Sequence, residues 1–231
     1  MRNKNWLNYA GFIYVAAWIV GLLIESGTPT PSAGGTALLA YFTAHQQSHM
    51  IQAYLIDGVT GIAILLFSAA VVNHFRKVDG DSPLLHVVLG AGITATGVSL
   101  VQAGFQQALS NPDILAGDGL SLKTILILVN QIDTFKLLAL AALSGTVSML
   151  VFSTKAVSAW LGWLGTVLAL TLVIGGFSFV STAPVLTSVL FASLPLLLFW
   201  VGAMSVSILK TNKKSQARSD ASAKAEMLIS H

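Results

Sequence analysis

A chain of 231 residues that is 55% hydrophobic and only 9% charged, with a net charge of +3 and no cysteine, is not built for water, since soluble domains carry roughly 25% charged residues. The composition excludes a disulfide framework and a thiolate metal centre, and the mild positive balance falls well short of a nucleic-acid reader. Apolar spans of about 20 residues, the length that crosses a hydrocarbon core of about 30 Å, fit six times along the sequence.

The start, Met1-Arg2-Asn3-Lys4-Asn5, resembles the basic region of a signal peptide, but the apolar run behind it continues through Gly21-Leu22-Leu23-Ile24. The expectation is a retained first helix from Leu7 to Ile24; cleavage near Ser32-Ala33-Gly34 would leave five spans. Glu25 ends this span, and Ser26 to Ser32 is a loop dense in breakers. From Thr36 to Ser48 the pattern is helical but too polar at its end to cross, so it is placed at the interface ahead of span two, Met50 to Val72. Ser82 is the expected N-cap and Pro83 the first residue of span three, which runs to Leu109. Its run of small residues, Gly90 to Gly97, predicts a face packed closely on a neighbouring helix.

A second loop, Ser110 to Gly119, leads into a helical region from Ser121 to Phe152. Its 32 residues would extend about 48 Å, so its outermost turns are expected to protrude. Span five runs from Ala159 to Phe179 and span six from Thr187 to Leu209, with Pro195 expected to kink it and Trp200 to supply packing mass. No internal repeat is evident. The fold expected is all-α: a six-helix transmembrane domain over residues 1–209 and a polar, basic cytoplasmic tail over 210–231, read as unstructured from its composition.

With both ends inside, Arg2, Lys4, Arg76, Lys77, Lys155, Lys210, Lys213, Lys214, Arg218 and Lys224 fall on the cytoplasmic side. Only Lys123 and Lys136 do not, a ten-to-two bias that fixes orientation by the positive-inside rule.

The same topology puts Glu25, His45, His49, Gln52 and Asp57 from the first two spans into the external half of the membrane, together with Gln102, Gln106, Asn130, Gln131, Asp133 and Lys136 from the next two. An ionisable residue at membrane depth is a functional-site hypothesis by default. At 100° per residue, a continuous helix would place His49 about 40°, Gln52 about 20° and Asp57 about 120° from His45, one broad face. Asp133 and Lys136 are three residues apart and close enough to pair. Together these residues predict a polar pocket that opens outward.

The residue types leave several chemistries open. The amides and acids can simply tie helices together. His45 and His49 have the spacing of two imidazoles on one ion, with Glu25, Asp57 or Asp133 as oxygen ligands, though no metal or other cofactor is assigned. Asp57 or Asp133 could act as acid or base on a lipid-soluble substrate, in the manner of a membrane cyclase or isomerase. Binding, sensing or transport of a small solute or ion, or support of a membrane partner, is the preferred reading, with enzyme activity left undecided. The partners expected are the bilayer, a small solute or lipid-like ligand, and a membrane-protein partner or second copy of the chain; nucleic acid is not among them.

Two short stretches carry a resemblance. Ala10-Gly11-Phe12-Ile13-Tyr14 and Ser153-Thr154-Lys155-Ala156-Val157-Ser158-Ala159-Trp160-Leu161-Gly162 resemble the first-span opening and the turn before span five of a broad family of uncharacterised six-span bacterial membrane proteins. Ser158 and Ala159 stand where that family has proline and a basic residue. The resemblance implies a bacterial inner-membrane protein, with no activity and no functional residues to carry over.

Overall fold

The computed structural model describes residues 5–25, 27–179, 181 and 183–229, with backbone alone from residue 213 onward. Among the described residues every regular element is helical. A short 3-10 turn, Asn5–Tyr9, leads into α1 (Ala10–Ile24). α2 (Gly35–Ala44) is divided from α3 (Gln46–Ala53) by a single non-helical residue, His45, at φ −113° and ψ 20°. A π-helical stretch, Tyr54–Val59, carries α3 into α4 (Thr60–Asp79). α5 (Pro83–Ala108), α6 (Pro112–Leu115), α7 (Gly119–Thr154), α8 (Ala159–Gly176) and α9 (Pro184–Ile229) complete the chain.

Six stretches are long and apolar enough to cross a membrane: Trp6–Ile24, Gln46–Asp79, Pro83–Ala108, Gly119–Thr154, Ala159–Phe179 and Pro184–Asn212. The protein is a multi-pass membrane protein built as a six-helix bundle. Its helix ends follow local chemistry. Pro83 starts α5 with its fixed φ, although the Ser82 side chain makes no capping bond. Asp118 caps α7 by accepting from the Ser121 backbone N–H at 2.9 Å; hydrogen bonding with the Ser121 side chain first, and with that N–H second, holds its carboxyl below the usual carboxylate range.

The tail differs from the expectation. α9 remains helical in backbone through Ile229, because the residues after Lys210 include many strong helix formers and no glycine or proline. Its polar composition argues against a packed core but not against helix. α9 is also uninterrupted at Pro195.

The spans pack in chain order as a ring. α1 lies on α4, α4 on α5, α5 on α7, α7 on α8 and α8 on α9, and α9 closes back onto α1. The interior is filled by Trp200, Phe67, Ile64 and Tyr14, all buried; Phe67 meets Trp200 edge to face at 6.0 Å, and the Trp200 indole donates to the Leu161 carbonyl at 3.2 Å. A second, smaller cluster lies under α2, where Leu38 and Phe42 bury one face against Leu109 and Leu122. α7 has 36 residues, about 54 Å of helix, and its surplus first turns are covered by α2 and α6.

The small-residue run of α5 divides. Ala91, Gly92, Ala95 and Thr96 are buried, and Thr96 donates to the Gly61 carbonyl at 2.7 Å across the helix pair. Gly90 and Gly97 have nothing near them, because they lie on the outward side of the same helix. Where α8 meets α7 the tolerance is much tighter: a methyl group on Gly165 would lie 2.7 Å from Trp200 Nε1 and closer still to Ser148 Oγ.

These two environments give opposite signs for one substitution. Gly165→Ala is expected to lower stability in detergent by about 1–3 kcal/mol through overpacking. Gly90→Ala is expected to be neutral or to raise it by up to about 1 kcal/mol through helix propensity. Thermal unfolding of the two variants against the parent checks both.

Candidate functional site

Lys136 is the centre of the polar network. Its ammonium lies 2.8 Å from Asp133 Oδ1, 3.0 Å from Asp57 Oδ1 and 2.6 Å from Gln102 Oε1. Gln102 in turn donates to Asp133 Oδ1 at 3.3 Å. Four side chains from span two, α5 and α7 therefore meet at one point. Lys136 and Asp57 are 7% and 2% exposed, whereas the Asp133 side chain keeps 25% of its surface.

Local structure explains how Asp57 arrives there. The π-helical stretch Tyr54–Val59 has wider turns than an α-helix, so Asp57 does not fall where a continuous 100° progression would put it. Such insertions are frequent at functional sites. The break at His45 removes the other half of the continuous-helix assumption.

A second network lies at the α2 end of the bundle. Tyr41 donates to Glu25 Oε1, and Gln52 donates to the Glu25 and Gly21 carbonyls. His49 Nε2 is 3.1 Å from Gln106 Oε1, and its Nδ1 is 3.5 Å from Glu25 Oε1 without forming a hydrogen bond. Burial and the Glu25 carboxylate beside it push the Tyr41 hydroxyl up to about 12. This cluster ties the end of α1 to α2, α3 and α5.

Three expected members stand apart. His45 is exposed, with its ring stacked on Tyr41 at 4.4 Å and its Nδ1 bonded to the Tyr41 carbonyl. It does not share a site with His49, which is buried, and the helix is broken at His45 itself. Asn130 is half-buried and has no hydrogen-bond partner among the described residues. Gln131 reaches only the Phe179 carbonyl, at 3.1 Å. Among the described residues no group of three or more His, Asp or Glu side chains is arranged to hold a metal ion.

Two cavities touch Lys136: the smaller, about 10 Å³, lies against Tyr14, Thr60 and Ser99, and the larger reaches Asp133 as well. The larger encloses about 150 Å³ between α1, α7, α8 and α9, with Asp133 and Lys136 at its polar end and leucines for most of its wall. Phe191, on its rim, is 74% exposed, so the space opens between helices. Ser193 and Trp18 also line it. The Ser193 hydroxyl is already committed to the Leu190 carbonyl at 2.7 Å, and the Trp18 indole N–H is buried without a partner. The composition of the sequence gave no warning of Trp18, Phe191 or Ser193. The only available signal was Pro195, which removes the helical donor for the Phe191 carbonyl.

Comparison with protein families, with curated proteins and with solved structures gives no match to this chain.

The Lys136 network makes a graded prediction. Lys136→Met leaves two carboxylates without their cation and is expected to cost about 3–5 kcal/mol. Asp57→Asn should cost less, because Lys136 keeps Asp133, and Asp133→Asn least, because that side chain reaches open space. Equal effects of all three substitutions on detergent unfolding would contradict this geometry.

Proposed function

We propose that this protein binds a small, lipid-soluble molecule in the cavity bounded by α1, α7, α8 and α9, as a sensor or carrier. The observation that supports this reading is the cavity itself: apolar walls that end on an ion-paired acid and base. Its volume of about 150 Å³ matches the engineered cavities known to take up a benzene-sized guest. Convergent polar groups at one end of an apolar pocket are the usual form of a small-molecule site.

Binding is preferred to acid–base catalysis because Asp57 is sealed behind Lys136 and does not line the cavity. Asp133 is the one carboxylate that reaches it. The Lys136 network and the Glu25 network would then hold the helices around the site rather than react.

In this reading both ends are cytoplasmic, and the polar half faces outward across a bacterial inner membrane. Arg76, Lys77, Lys155 and Lys210 support it: the first three close α4 and α7 at the end opposite α2 and α6, Lys210 lies at the end of the sixth apolar stretch, and Lys77 donates to Asn212 Oδ1 there at 3.4 Å. Membership of the six-span family stays part of the same proposal.

Two experiments test it. Because the chain has no cysteine, single Thr30→Cys and Val78→Cys variants report sidedness directly. An impermeant thiol reagent applied to intact cells should label position 30 and spare position 78; the reverse overturns the orientation. In uncharged detergent, a benzene-sized probe such as benzyl alcohol or benzylamine should raise the unfolding temperature of the parent protein. Leu194→Trp, which fills the cavity, should abolish that response.

A further inference from the structure

We infer that the cavity selects a ligand bearing a cationic ammonium group; this rests on the reading of the cavity as a binding site. The argument is a count of what its polar groups have left to offer. An ammonium has three donors, and those of Lys136 end on Asp57, Gln102 and Asp133. Ser193 has given its proton to the Leu190 carbonyl. The Trp18 N–H is buried and does not open on the space. None of these donors is presented to a ligand: those of Lys136 and Ser193 are committed, and the Trp18 N–H, though unpartnered, is out of reach.

What remains is acceptors. Asp133 Oδ1 takes Lys136 and Gln102, whereas Oδ2 has no hydrogen-bond partner among the described residues. Asp133 lines the cavity and keeps part of its side chain accessible. Pro195 removes the N–H that would satisfy the Phe191 carbonyl, and Phe191 is on the cavity rim. The aromatic rings of Trp18 and Phe191 add faces that attract cations.

Charge selects among donors. Asp57 and Asp133 set two carboxyl groups against one ammonium, so when both acids are ionised the network has one negative charge left to cancel. A neutral alcohol could donate to Asp133, but only a cation also cancels the charge. A carboxylate ligand would meet repulsion and find no donor. The ligand class is therefore a small lipophilic amine, supplied either as a free molecule or as the ammonium of a lipid headgroup.

Three isosteric probes separate the possibilities: benzylamine, benzyl alcohol and benzoate, titrated calorimetrically into the full-length protein in maltoside detergent. Benzylamine should bind roughly tenfold or more tightly than benzyl alcohol, as expected for a charge-assisted bond, and benzoate should not bind. Asp133→Asn should remove the preference for benzylamine while keeping the response to benzyl alcohol. If that variant fails to fold, the ranking in the parent protein still decides the matter.

Benzyl alcohol binding as tightly as benzylamine would overturn the ammonium assignment and leave the cavity reading intact. Failure of every probe to bind the parent would overturn the cavity reading itself. Competition of lysophosphatidylethanolamine with benzylamine would support the assignment and name a lipid headgroup as the source; its failure to compete, with benzylamine bound, would support a free amine.

Discussion

An ammonium at membrane depth persists only where each of its N–H groups ends on an acceptor, and Lys136 satisfies that condition by drawing Asp57, Gln102 and Asp133 to one point. Water offers no alternative partner in the hydrocarbon region. The network therefore acts as a geometric constraint: the π-helical stretch of span two, α5 and α7 must keep the register that brings these groups together. Breaking such a set is costly because the partners left behind are buried and charged.

The rest of the bundle is arranged around that point by simpler means. Toward one end, Ile64, Phe67 and Trp200 fill the ring with apolar volume, and close approach at Gly165 lets Trp200 sit against α8. Toward the other end, α2 lies over the long α7, and Tyr41 and His49 gather around Glu25. The cavity occurs between these regimes, where apolar packing stops and the Lys136 network begins. Its polar end is the Asp133 and Lys136 pair, the two members of the network that line it.

Particular residues show how far the sequence could be read. The i, i+3 pair of Asp133 and Lys136 was legible because a helix fixes that distance locally. The partnership of Lys136 with Asp57 spans 79 positions, and no local rule connects them. Periodicity from His45 gave Asp57 an angle, but that angle assumed one unbroken helix, and both the kink at His45 and the wider turns at Tyr54–Val59 alter it. The small run in α5 announced close packing without saying which side. Tyr41 went unremarked, since a tyrosine in an interfacial helix is ordinarily a surface anchor. Its role as a donor to Glu25 depends on where α2 folds back.

The amino-acid order alone determined the solvent, the number of spans and the stretch of chain each one occupies, because hydropathy and helix length are sums over neighbouring residues. It also placed ionisable groups at membrane depth, where each must find a partner. Which partner each one found was decided by tertiary structure: the ring order of the helices, the register set by the π-helical turn, and the gap left between α7 and α9. Those depend on the relative position of segments far apart in sequence, and a segment that announces close packing, as the small-residue run of α5 does, names neither its neighbour nor the register.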